Sequence, residues 1–196
     1  MFFGDEKKSL LFKAALEVFA EKGFANATVD EIVQRAGVAK GTVYHHFESK
    51  EELFLVLLQT GTEYLVSEAQ EELLYHSEAA ERLQVVIERY IRFLGKYKEF
   101  FKVLLTEIWW VDDRWKEQVQ NLRQEMLKPL ITVIGEAQER GIIRKDVAPE
   151  NLAPALFGLI THETLHWTLF KDAFPYADIL RTVKVIFFEG TLARKN

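Results

Sequence analysis

The chain has 196 residues, 48% of them hydrophobic, no cysteine and a net charge of −5. It is long enough for one large domain or two small ones around a proper core, and the missing cysteines exclude a disulfide framework, a thiol nucleophile and a thiolate metal site. Met1-Phe2-Phe3 is followed at once by Asp5-Glu6-Lys7-Lys8, unlike a signal peptide, and no apolar run reaches bilayer length, so a cytoplasmic protein with no membrane partner is expected. A first helix carries Leu11, Ala14, Ala15, Val18 and Phe19 on one stripe and ends at Gly23. Thr28-Val29-Asp30-Glu31 has the form of a capping box and opens a second helix through Ile32, Val33 and Ala36, which stops at Gly37. Between Gly37 and Ser49 there is room for about two turns of a third helix. Ser49-Lys50-Glu51-Glu52 is a second capping box and starts a long fourth helix toward Tyr75. Ser77 is expected to cap a fifth, whose apolar stripe is Leu83, Val86, Ile87, Tyr90, Ile91 and Leu94. A sixth spans Lys98 to Trp110. A seventh begins near Asp112-Asp113 and runs to Arg140 before Gly141, with a kink or break expected at Pro129. Pro149 starts an eighth, to about Phe170, and Pro175 opens a ninth through Thr191. No strand signal is present. The expected architecture is all-α with about nine helices: a three-helix head over residues 1–49 and a larger helical body over 50–196.

Two helices joined by a tight glycine turn, the second of them short, is the helix-turn-helix arrangement that reads DNA. Further residues fall at matching places: Ala14-Ala15, Phe19 and Gly23-Phe24 in the first helix and its exit, Thr28-Val29-Asp30-Glu31-Ile32, then Ala36-Gly37-Val38 at the turn. Gly41-Thr42-Val43-Tyr44-His45-His46-Phe47 and Lys50-Glu51-Glu52-Leu53 complete the set. With these elements in this order and spacing, the segment from Leu10 to Leu55 resembles the TetR family of bacterial transcriptional regulators. The resemblance implies a ligand-responsive regulator, a repressor, that binds a palindromic double-stranded operator as a dimer and is released by a hydrophobic or amphipathic small molecule.

In that resemblance the third helix enters the major groove. By residue match, Lys40, Thr42 and His45 face base edges or the nearest phosphates, while Tyr44, His46 and Lys50 take phosphate positions. Thr28 and Val29 present backbone N–H groups to the DNA backbone. Gly41 allows close approach without readout of its own, and Val43 and Phe47 are core. The plainer reading of His45 and His46 is that they are solvated polar residues. Residues 1–50 carry seven Lys or Arg against seven Asp or Glu, and the remainder carries 18 against 23. The charge is therefore neutral evidence, since a local basic face suffices to position a reader on phosphates.

Ile179, Val183, Ile186 and Phe187 with Leu192, and Leu156, Leu159, Ile160 and Leu165, give the last two helices broad apolar faces. In TetR relatives this pair forms a four-helix bundle across a two-fold axis, so a homodimer through the last two helices is expected. The alternative is that these faces fill the monomer's own core.

The family's body binds the effector. Candidate contacts are Phe93, Tyr97, Phe101, Glu107, Trp110, Phe157, His162, Glu163, His166 and Trp167, with Phe100, Trp109 and Trp115 among the same aromatics. Aromatics at helical spacing are also ordinary core, but their density suits an apolar cavity with a few polar groups. A carboxylate there (Glu107 or Glu163) favours a cationic aromatic ligand. Arg123 or Lys102 at the mouth favours an acyl-CoA, and Phe157-Gly158 through Trp167 resembles the fatty-acid-responsive branch of the family. No cofactor is implied.

His162-Glu163-Thr164-Leu165-His166 matches H-E-x-x-H, which on a helix supplies two zinc ligands and a general base and needs a third ligand, for which Glu189 is the candidate. The motif lies in a helix that the resemblance assigns to the body, and no separate cleft domain remains in so short a chain. A non-enzyme without a metal is the expectation. A zinc hydrolase and a helical scaffold that does not bind DNA are the alternatives.

Overall fold

The computed structural model describes residues 6–108, 115–170 and 174–191, which form nine helices and no β-strand. They are α1 (Glu6–Asn26), α2 (Val29–Ala36), α3 (Lys40–His46), α4 (Lys50–Leu73), α5 (Ala79–Lys96), α6 (Lys98–Ile108), α7 (Lys116–Glu139), α8 (Pro149–Phe170) and α9 (Tyr176–Thr191). The all-α expectation holds, and the helix starts at Pro149 and after Pro175 fall where the prolines place them. Two compact units emerge: Met1–Tyr64 with Lys98–Leu122, and Leu65–Tyr97 with Arg123–Asn196.

In the first unit, α1 breaks at Gly23 (φ 74°, ψ 160°), a conformation open to glycine, and one further turn runs to Asn26. Thr28 then caps α2 with both halves of the capping box in place, its side chain accepting from the Glu31 N–H while the Glu31 carboxylate accepts from the Thr28 N–H. Gly37 closes α2 in the left-handed region (φ 68°): its N–H donates to Gln34 O and the Val38 N–H to Val33 O, the paired bonds of a Schellman ending. Leu11, Phe12, Ala15, Phe19, Ile32, Val43, Phe47, Leu53 and Phe54 are buried and make the core of the head. Arg35 clasps Glu21 with two bonds of 2.6 and 2.8 Å and joins α2 to α1. The start of α4 departs slightly from expectation. Ser49 Oγ does accept from the Glu52 N–H, but the Glu52 carboxylate reaches back to the N–H of Glu48 instead of Ser49.

The second unit packs α5, α8 and α9 together. Glu78, one residue after the expected Ser77, is the N-cap of α5, and it makes no side-chain cap bond. α7 continues through Pro129 without the expected break. A proline removes one helical donor and crowds the carbonyl four residues back. Here the ring is buried, and the fully buried Tyr90 hydroxyl donates to the carbonyl of Met126 in the turn before it. That bond ties α5 to the turn of α7 that contains the proline, so tertiary packing holds the helix in place there. Burial also pushes the Tyr90 phenol up from its ordinary value. Asp112 and Asp113, expected to open α7, lie outside the described residues. No described helix is long and apolar enough to cross a membrane.

Candidate DNA-reading site and effector body

The reading helix α3 is short and divides cleanly. Val43 and Phe47, four residues apart, are buried, and Phe47 sits 5.7 Å from Phe12 in the head core. Lys40, Gly41, Tyr44, His45 and His46 are exposed on the other side and Thr42 is half-buried. Tyr44 is 52% exposed, so its ring is not a core element of the head. Lys40 Nζ meets Asp30 at 2.6 Å, and that bond raises the Lys40 pKa. Both side chains are exposed, and an exposed ion pair is worth little. The Lys40 ammonium can therefore leave Asp30 at small cost.

Two expected contacts are rearranged. The Thr28 N–H is committed to the Glu31 carboxylate and is not presented outward; Val29 is the first residue of α2, where helical N–H groups lack an intrahelical acceptor. Glu31 is held down to about 2, first by its bond to Lys22 and then by the Thr28 hydroxyl and N–H. Lys50 does not face outward either. Its ammonium donates to the carbonyls of Phe24 and Ala27 at 2.8 Å each and lies 4.4 Å from the centre of the Phe24 ring. Nothing in the local sequence signals this, because the partners stand 23 to 26 residues away.

The described effector candidates fall in both units. Phe101 is buried in the first unit. In the second unit Phe93 is buried, Tyr97 lies 4.9 Å from it, and Phe157 meets Tyr90 edge-on at 6.1 Å. Glu163 and Trp167 are half-buried, but His162 and His166 are exposed, in line with Gly158 on the outer face of α8. That face is turned away from the Leu156, Ile160 and Thr164 stripe, so these histidines do not line an interior cavity. Arg123 is also exposed. Trp109, Trp110 and the side chain of Glu107 lie outside the described residues. Trp115 belongs with the head: it stacks on Phe54 at 5.4 Å and meets Phe24 edge-on at 4.7 Å.

The third ligand offered for the H-E-x-x-H match is Glu189. Glu189 is exposed on α9, and among the described residues no group of three His, Asp or Glu is placed to hold a metal ion.

The dimer candidates separate as well. Ile179, Val183, Phe187, Leu156 and Ile160 are buried within their own unit, as the alternative had it, because one stripe of each helix is consumed by the α5–α8–α9 core. Ile186 is 54% exposed and Val185 44% exposed, Leu159 and Leu165 are half-buried, and Leu192 lies outside the described residues.

Comparison with known proteins gives concordant matches. Residues 11–57 match the family described as bacterial regulatory proteins, tetR family, and residues 76–168 match the tetracyclin repressor-like C-terminal domain. The chain is similar to the HTH-type transcriptional activator FasR of Mycolicibacterium smegmatis, 36% identical over 100 residues that are 51% of this chain and 46% of FasR. It is 22% identical over 180 residues to the fatty acid metabolism regulator protein of Bacillus subtilis, covering 92% of this chain and 93% of that one. Its fold is that of the transcriptional regulator FadR from Bacillus subtilis, solved in complex with stearoyl-CoA, with a TM-score of 0.83, 22% identity and coverage of 93% and 98%.

Proposed function

The chain belongs to the TetR family of bacterial transcriptional regulators, and from that premise we propose that it reads a palindromic operator as a homodimer and releases it on binding a long-chain acyl-CoA. As a ligand-responsive DNA-binding regulator it needs a reading surface, and the carrying observation is the two-sidedness of α3. Val43 and Phe47 anchor the helix while Lys40, Gly41, Thr42, Tyr44, His45 and His46 are left to the DNA. Lys40 and His45 are assigned to base edges or the nearest phosphates, Tyr44 and His46 to phosphates, and the first turn of α2 at Val29 to the DNA backbone. Gly41 lets the helix backbone come close.

The reading head is residues 1–49 and the effector and dimer functions lie in 50–196. The acyl-CoA assignment is supported by the full-length similarity to a fatty acid metabolism regulator and by the stearoyl-CoA bound in the FadR structure of like fold. Phe93, Tyr97 and Phe157 are the described aromatics of the second unit assigned to the acyl chain. Dimerisation is assigned to the outer faces of α8 and α9, where Gly158, Leu159, Val185 and Ile186 leave apolar surface uncovered. Repression is the proposed sign of regulation.

The test is selection of a binding duplex from random DNA by the full-length protein, followed by footprinting at stated salt and titration with stearoyl-CoA. A protected palindrome with half-sites about 34 Å apart is expected, with loss of protection on titration. Linkage requires DNA to weaken acyl-CoA binding by the same factor. Equal acyl-CoA affinity with and without the duplex contradicts the reading, and no selected duplex at low salt removes it. Release by a cationic aromatic compound instead would transfer the effector assignment to that class.

A further inference from the structure

An ammonium group has three N–H donors, and those of Lys50 are directed inward. Phe24 O and Ala27 O accept at 2.8 Å, Ala25 O stands at 3.5 Å, and the Phe24 ring lies below the nitrogen at 4.4 Å. These carbonyls stand at the end of α1, past its last helical residue Asn26 or within the final turn, where a helix runs out of N–H donors. Ala27 directly precedes Thr28, the cap of α2. The first residue of α4 therefore holds the link between α1 and the helix pair that carries α3.

The Phe24 ring continues the connection. It lies 4.8 Å from Phe54 and 4.7 Å from Trp115, and Trp115 stacks on Phe54 at 5.4 Å. Trp115 is the residue before α7 begins. Drawing Lys50 away to a DNA phosphate would break both 2.8 Å bonds at once, a cost that Lys40, with its single exposed carboxylate, does not bear.

We propose that Lys50 is a positioning residue of the reading head and not a phosphate contact: it fastens the α1–α2 link to the Phe24–Trp115 ring pair, so that displacement at the start of α7 reaches the cap of α2 and through it α3. This rests on the DNA-reading function of the head.

The test measures affinity of the full-length protein for its selected duplex across a salt series, with the active fraction set by stoichiometric titration. Lys50→Met is expected to weaken binding roughly tenfold at every salt concentration, the scale of one charge-assisted hydrogen bond, with an unchanged salt slope and an unchanged active fraction. Lys50→Arg, still able to donate to two carbonyls, restores most of the affinity. Trp115→Leu alters no charge and weakens binding comparably at the same slope. The double variant Lys50→Met, Trp115→Leu binds little worse than the weaker single one, because both act through Phe24. A slope shallower by about one in Lys50→Met marks a released phosphate contact and overturns the proposal. Multiplying effects in the double variant, or wild-type affinity in Trp115→Leu, also overturn it. If Lys50→Met does not fold, Trp115→Leu and Lys50→Arg decide by the same criteria. Failure to select any duplex counts against the regulator reading, not against this joint.

Discussion

The ring of Phe100 on α6 rests against the backbone of Gly61 on α4. A β-carbon added to Gly61 would stand 2.2 Å from Phe100 Cε2 and 2.5 Å from Cζ, closer than any real contact. Phe100 is fully buried, so the ring has no open space to turn into. Glycine inside a helix costs about 1 kcal/mol against alanine, and its presence here is explained by the approach of α6.

Gly61→Ala is therefore expected to destabilise the protein despite its better helix propensity. Overpacking of a filled site costs about 1–3 kcal/mol, which exceeds the propensity gain. Because it forces α6 off α4, the variant should also bind its operator more weakly without effector present. Denaturant unfolding and a footprint titration check the two effects, and a variant more stable than wild type contradicts the packing.

The reading face makes separable predictions. Lys40→Ala should weaken binding and lower the salt slope by about one if a phosphate is its partner. His45→Ala should relax preference at one base pair in each half-site by about 1 kcal/mol, while Tyr44→Phe lowers affinity alike for all sequences. Affinities for duplexes substituted one pair at a time distinguish the three. A His45→Ala variant with an unchanged preference profile removes His45 from base readout.

The capping box carries a pH signature. Glu31 is held at about 2 against an ordinary value of 4.5, chiefly by Lys22 and then by Thr28. A carboxyl with a depressed folded-state pKa contributes stability that is complete above the unfolded value and is lost as pH falls toward the folded one. The stability gap between wild type and Glu31→Gln should thus be widest above about pH 5 and shrink between about 4.5 and 2. Thermal melts of both proteins across that range test it, and a gap that stays constant with pH refutes the charge assignment.

Ile186→Glu and Val183→Glu should differ in kind. Ile186 is over half exposed, so a carboxylate there leaves the monomer folded, and under the proposed assembly a loss of about 2 kcal/mol in dimer affinity is expected at a central contact. Val183 is fully buried, and a charge there should unfold the chain. Sedimentation equilibrium together with circular dichroism separates the outcomes, and an undisturbed Ile186→Glu dimer would relocate the interface.

What could be read from the sequence is what short-range chemistry decides. Thr28 with Glu31, Gly37 with its left-handed turn, and the prolines at 149 and 175 act within three or four residues, where dihedral limits and local hydrogen bonds leave few alternatives. The order of motifs along residues 10–55 carried the family in the same way, and the Val43–Phe47 spacing separated the core side of α3 from its outer side. The tertiary structure decided which apolar stripe met which neighbour: whether Ile179, Val183 and Phe187 were buried in their own unit, whether Trp115 joined the body or the head, and which carbonyls at the end of α1 Lys50 reached. It also carried α7 through Pro129, where Tyr90 bonds the carbonyl of Met126 from another helix. Such choices depend on partners tens of residues distant, and the free energy that settles them comes from packing and desolvation, which the periodicity of one segment does not encode.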